Sequence, residues 1–224
     1  IIVPLGLTLV TAMIAQFGPQ AVAGFGVASR VESLVLVLYY ALSAIIGPFV
    51  GQNLAAGKGE RIRASLRLCA VFSILSGLVI AALLALASGI LPRLFSDNPA
   101  VTDVTQLFLL VAPISYGAYG IVMVVNAAFN GLGNPMPGVF ISVTRILALY
   151  VPLAFLGKML FGIAGIFAAY AVANIASGAL GYVWAMRNAH RLAITQVHAD
   201  APAGHETHQG EPEAVIAQRL RDEP

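Results

Sequence analysis

Three charged residues stand where membrane-length apolar runs should carry none: Arg30 and Glu32 in AVAGFGVASRVESLVLVLYYALSAIIGPFV, and Arg145 in MPGVFISVTRILALYVPLAFL. If the first run is a helix starting near Gln20, a rise of roughly 1.5 Å per residue puts Arg30 and Glu32 about 15–18 Å deep, close to the middle of a bilayer core about 30 Å thick. Arg145, about ten residues past a turn on the other face, reaches a similar depth. A charge there costs roughly 2.5–3.5 kcal/mol on insertion scales, so it faces a protein interior or a watery cavity and pairs with something. The chemistry open to such groups is binding and exchange of a cation or proton at Glu32, or an ion pair that locks two helices together. Arg30 and Glu32 are two residues apart, about 200° round a helix, so a partner on another helix is expected for each. Arg145 has two readings: a meeting with Glu32 at the midplane, or service to carbonyls freed by Pro152.

Other residues are candidates beside these. Tyr39, Tyr40, Tyr116, Tyr119 and Asn126 could line a cavity for flat cationic solutes through their aromatic faces, although core packing and interfacial anchoring are the commoner duties of such residues. Pro48, Pro113 and Pro152 lie within or at the ends of apolar runs, where freed carbonyls and kinks make hinges for alternating access; membrane helices also carry such prolines with no gating role. The spans hold no HExxH, no GxSxG and no paired carboxylates, so an enzyme is not expected. Gly57-Lys58-Gly59 lacks the GK[ST] of a phosphate-binding loop. His205 and His208, with His198, fall in a polar tail and read as solvated, not as metal ligands. The single cysteine, Cys69, excludes an internal disulfide and a multi-cysteine metal site. No cofactor or metal is expected.

The elements that must position these groups follow from composition. With 59% hydrophobic and 10% charged residues, against about 25% charged in an average soluble domain, the chain is expected to be an integral membrane protein. Ile1 opens inside an apolar run with no charged n-region, so a signal peptide is not expected and the chain reads as a fragment. Turn residues divide the sequence into six helical spans near 1–17, 20–50, 64–91, 101–130, 135–157 and 161–186. Four of the five breaks are marked by Gly18-Pro19-Gln20, a polar loop GQNLAAGKGERIRASLR, the helix-start signal Ser96-Asp97-Asn98-Pro99, and Asn130-Gly131-Leu132-Gly133-Asn134-Pro135. The fold expected is all-α, a six-helix transmembrane lobe over residues 1–190. A polar, mostly disordered tail follows over 191–224, with at most a short helix near Pro212 to Leu220. Trp184 reads as an interfacial anchor.

Lys58, Arg61, Arg63 and Arg67 in the second loop, with Arg187 and Arg191 after the last span, outnumber Arg93 and Lys158 on the other side. The basic side, and the tail with it, is expected to be cytoplasmic. A net charge of +2 distributed this way is explained by topology and anionic headgroups, and no nucleic-acid partner is implied.

Two blocks carry a family resemblance: AVAGFGVASRVESL with GPFVGQNLAAGKGERIR, and NAAFNGLGNPMPG. They resemble the C-terminal lobe of the multidrug and toxic compound extrusion (MATE) family of antiporters. The resemblance implies a twelve-helix transporter of two six-helix lobes around a central cavity in the cell membrane, exporting organic cations in exchange for Na⁺ or H⁺. This chain then supplies helices seven to twelve, and the N-terminal lobe is its missing partner. Acids that family members use in helices seven and ten have no counterpart in Ile1–Phe17 or Thr105–Phe129, which leaves Glu32 as the intramembrane carboxylate and the coupling ion unassigned. A lipid-linked oligosaccharide flippase of the same superfamily is the alternative, since Arg30 and Arg145 would suit a pyrophosphate.

Overall fold

The computed structural model describes the backbone of residues 2–199 and the side chains of residues 6 and 8–189. Seven helices are present among the described residues: α1 Ile2–Ala15, α2 Pro19–Ala55, α3 Gly59–Ala87, α4 Pro99–Val111, α5 Tyr116–Gly131, α6 Met136–Val143 and α7 Val151–Ala199. Short 3₁₀ turns cover Leu91–Leu94 and Ala112–Ser115, and Thr144–Tyr150 is π-helical. No strand occurs among the described residues. The expected polar tail, from 200 onward and including the helix near Pro212 to Leu220, His205 and His208, lies outside the described residues, as does the side chain of His198. The boundary expected at residue 190 falls inside α7, whose backbone is helical to Ala199.

Among the described residues, four stretches are long and apolar enough to cross a membrane: Pro19–Ala55, Gly59–Ala87, Pro99–Gly131 and Met136–Ala189. The last is two crossings. Gly162, at φ 60° and ψ −137°, takes a backbone conformation that side chains exclude and interrupts α7 there. An unbroken helix would separate Gly157 from Gly165 by about 12 Å, yet a Cβ built on either would overlap the other's carbonyl, so the chain folds back on itself as a hairpin of two arms. The fifth and sixth spans expected from sequence are these arms. α1 has 14 residues, short for a crossing.

The fourth span, α4 through α5, is the axis of the bundle: 72% of its most apolar stretch is buried, against 17% for Gly59–Ala87. Its start is built as the sequence implied. Asn98 accepts the Ala100 N–H at 3.0 Å, and Pro99 occupies the first turn where no donor is missed. Small residues let neighbours close in. Gly47 and Gly51 of α2 lie against Ala127 and Gly131 of α5, and Gly77 of α3 meets Gly117. Thr105 Oγ1 donates to the Gly24 carbonyl at 3.0 Å, tying α4 to α2 across the bundle. Phe25, Phe108 and Phe167 pack as an aromatic cluster with centroids 5.0–6.2 Å apart. The outer face of α3, from Leu68 through Leu86, is exposed and apolar, as a lipid-facing surface must be.

The boundaries around the second loop also differ from expectation. α2 passes Pro48 and continues to Ala55, and α3 begins at Gly59 where residue 64 was expected, so the polar loop shrinks to Ala56–Lys58. Polar residues beyond the hydrocarbon core lose nothing by staying helical. What breaks the chain is Gly57 at φ 68°.

Candidate functional site

The bundle forms a partly open cavity of about 190 Å³, lined by Glu32 with Arg145, Tyr40, Tyr119, Tyr150 and Tyr170 among others. α2 supplies Glu32 and Tyr40, α5 supplies Tyr119, the π-helical turn supplies Arg145 and Tyr150, and the second arm of α7 supplies Tyr170. The hairpin at Gly162 is what brings Tyr170 and Asn174 back beside residues 145–150. The π-turn precedes Pro152, which offers no N–H to the turn before it, and the wider spacing sets the direction in which Arg145 projects.

Each charge has its own hydrogen-bond partner. Glu32 Oε1 accepts from the Tyr170 hydroxyl at 2.7 Å. Arg145, 7% exposed, donates from Nη1 to Asn174 Oδ1 at 3.0 Å. Asn174 Nδ2 in turn donates to Ser115 Oγ at 3.0 Å, and Ser115 donates to the Ala112 carbonyl at 2.8 Å, in the 3₁₀ turn that contains Pro113. The Arg145 guanidinium lies over the Tyr119 ring, 4.5 Å from its centroid. Its Nε has no hydrogen-bond partner. The buried Tyr116 hydroxyl also approaches Glu32, more loosely than Tyr170 does, and has no other partner. A carboxylate and a guanidinium thus share one cavity, within reach of each other's field, and are not joined in an ion pair.

The sequence-derived candidates divide accordingly. Glu32, Arg145 and Tyr119 line the cavity, and Tyr116 lies behind it. The direct Glu32–Arg145 pair is not formed, because Tyr170 and Asn174 take up their hydrogen bonds first. Arg30, expected near the same cavity, is exposed and outside its lining: two residues along α2 turn it to the opposite side of the helix from Glu32. Tyr39 is wholly buried in the core, its hydroxyl donating to the Ser73 carbonyl at 3.3 Å and its ring against Gly120. Asn126 donates to Ser142 at 2.9 Å and packs on Gly138, apart from the cavity. Pro48 stands inside continuous helix, whereas Pro113 and Pro152 sit in or next to the two irregular turns that carry Ser115 and Arg145. Trp184, expected as an interfacial anchor, packs edge-on against Phe129 and Phe140. No group of three or more His, Cys, Asp or Glu side chains is placed to hold a metal among the described residues.

Sequence reading missed Tyr170, Asn174, Ser115 and Tyr150. Tyr170 and Asn174 are one helical turn apart, a spacing that marks a polar stripe on an otherwise apolar arm.

The comparisons agree with this architecture. The family model described as MatE matches residues 1–156. A protein of Shewanella oneidensis named "FAD transporter" is 35% identical over 184 residues, covering 82% of this chain and 41% of that protein. The "Probable multidrug resistance protein NorM" of Thermotoga maritima is 25% identical over 138 residues, 62% of this chain and 30% of that one. Among solved structures, the Vibrio cholerae MATE transporter VcmN in its bent form superposes with a TM-score of 0.80 at 32% identity, over 84% of this chain and 44% of VcmN. The chain therefore spans less than half the length of each of these relatives. With the family model matched over most of its length and the helical lobe superposing on a solved transporter, this membrane-embedded chain belongs to the MatE family.

Proposed function

We propose that this chain is one lobe of a secondary active transporter that exports a flat organic cation or drug in exchange for Na⁺ or H⁺, with the N-terminal lobe of a longer protein completing the pathway. The observation that carries this reading is the cavity in which Glu32 sits among tyrosine faces with Arg145 in its field. A carboxylate held by tyrosine hydroxyls still keeps free lone pairs to take a proton, a Na⁺ ion or a cationic solute. Tyrosine faces add cation–π attraction for the same class of solute. Arg145 lowers the affinity for a second positive charge, so coupling ion and substrate compete for Glu32. The irregular turns at Ala112–Ser115 and Thr144–Tyr150 are the places where the lobe can bend without breaking regular helix. The basic ends of α3 and α7 face the cytoplasm in this reading, and the protein is multi-pass in the cell membrane.

A second reading has its own support. Arg145 presents a buried, unpartnered Nε over a tyrosine ring, which suits a planar solute bearing an anionic group, and the Shewanella relative is named for a flavin dinucleotide. The flippase reading loses one of its two cationic residues, since Arg30 faces away from the cavity.

Everted vesicles containing the full-length protein distinguish these readings when loaded in parallel with a fluorescent organic cation and with FAD, under an imposed pH or Na⁺ gradient. Gradient-dependent movement of the cation, reduced by Glu32→Gln at unchanged protein level, is the expected result. Movement of FAD alone would transfer the conclusion to the second reading, and movement of neither would remove both.

A further inference from the structure

On the outside of the bundle, α3, α5 and α7 leave an apolar groove of about 460 Å³. Its floor is Ala118 and Gly178; its walls are Val71 and Leu75 on one side and Ile175 and Ala179 on the other. Ala118 and its neighbour Tyr119 separate the two spaces, the first lining the groove and the second the cavity. Small residues make the depression. Gly178 approaches the Ala118 backbone so closely that a Cβ would stand 2.7 Å from its carbonyl oxygen, while the bulky side chains of α3 stand out beside it. The groove therefore opens among the exposed apolar residues of α3, in the part of the surface that hydrocarbon must cover.

What identifies the occupant is the charge at its end. Arg63 and Arg67 precede Val71 by two turns and one turn of the same helix, so they continue the Val71 stripe toward the basic side. Arg67 is exposed and Arg63 half-buried. Like charges one turn apart repel each other. Glu60 in the first turn forms no bridge to either of them among the described residues. The second arm of α7 runs back toward the same side, so Tyr182, which also lines the groove, lies at the charged end. A hydrocarbon slot leading to two unpaired guanidinium groups at headgroup level has the layout of a lipid with an anionic head.

We propose that this groove binds one acyl chain of an anionic phospholipid whose headgroup rests on Arg63 and Arg67. This site is distinct from the transport cavity and independent of which solute that cavity carries.

The test uses the full-length protein in detergent, examined by native mass spectrometry with phosphatidylglycerol and phosphatidylcholine of matched chains. Phosphatidylglycerol adducts should survive collision energies that strip phosphatidylcholine. Ala179→Phe, which fills the groove, should remove that retention, with Leu75→Trp as a second filler at a position 59% exposed in case the first disturbs folding. The paired change Arg63→Gln with Arg67→Gln should bring retention of the two lipids to parity while the groove stays open. Equal retention of both lipids on the unaltered protein, or unchanged phosphatidylglycerol retention in a folded filler variant, would overturn the proposal. So would a dimer that becomes monomeric in Ala179→Phe, because the groove would then belong to a second copy.

Discussion

Arg145 and Asn174 lie 29 residues apart in the chain, and Nη1 of the arginine donates to Oδ1 of the asparagine at 3.0 Å across the hairpin. The asparagine uses both ends of its amide, since Nδ2 donates to Ser115, and it is 0% exposed. It therefore joins three elements: the π-turn, the 3₁₀ turn of the central span and the second arm of α7. Asn174→Ala would leave a buried guanidinium with only the Tyr119 ring beneath it. Hydrogen bonds between membrane helices contribute about 0.6 kcal/mol on average and up to about 1.7. Because a charged donor is orphaned here, a loss at the upper end of that range is expected, read as a lower thermal midpoint in detergent. Asn174→Asp keeps the acceptor for Arg145 but removes the donor to Ser115, so it should recover only part of the loss. If the alanine variant melts with the unaltered protein, this relay contributes nothing to stability.

Tyr170→Phe separates hydrogen bonding from packing at Glu32. The ring contacts with Tyr150, at 5.4 Å between centroids, and with Phe108, at 6.3 Å, survive the change, while the 2.7 Å bond to the carboxylate is lost. Stability should fall by about 1.5–3 kcal/mol, the range of a hydrogen bond to a charged group. The larger effect should be on the cation or proton affinity of the full-length transporter, measured as a shift in the driving-ion concentration that half-saturates exchange. A stability loss with no such shift would make Tyr170 a packing residue.

The close helix contacts predict opposite results for two glycines. Gly120 lies against the Tyr39 ring, and an added methyl would overlap it. Gly26 has open space around its Cβ position. Gly120→Ala should destabilise by about 1–3 kcal/mol through overpacking and lower the yield of folded protein. Gly26→Ala should be neutral or stabilising by up to about 1 kcal/mol, since it only removes backbone freedom from the unfolded chain. Paired thermal-shift measurements decide it, and equal midpoints would mean that α5 can move away from α2 at little cost.

These contacts show what could be read from the chain alone. The depth of a charge in an apolar run follows from residue counting, and Glu32 and Arg145 do meet in one cavity as that counting implied. Helical periodicity held the further information that Arg30 could not share it, because two residues of helix turn the side chain away. Tyr170 and Asn174 were invisible for another reason. Neither carries a charge whose burial demands explanation, and their nearness to residues 145–150 depends on the hairpin register fixed by Gly157 and Gly165. Dividing the run into spans 135–157 and 161–186 implied a reversal there, but not its register. Register follows from backbone contact at small residues, which no single stretch of sequence displays. Pro152 likewise marked an irregularity, but not that a π-turn would take it up and aim Arg145.

The relationship between the two buried charges can be measured by a double-mutant cycle. Glu32 and Arg145 line the same cavity but bond to different partners, so their coupling is through the field and not through contact. Glu32→Gln alone leaves an uncompensated cation in the cavity, and Arg145→Gln alone leaves an uncompensated anion. The double variant leaves neither. Each single change should therefore cost more stability than the cycle assigns to independent sites, and the double variant should recover part of the loss, with a coupling energy on the order of 0.5–3 kcal/mol. Transport separates from stability in the same set. If the carboxylate takes part in exchange, Glu32→Gln and the double variant should both lose gradient-dependent efflux while protein remains in the membrane, because restoring charge balance does not restore a group that can exchange a proton or cation. If it serves only as a strut, abundance should fall in the single variant and efflux per molecule should return in the double. Normal efflux at normal abundance in Glu32→Gln would contradict both roles and leave the cavity without a charged participant on α2.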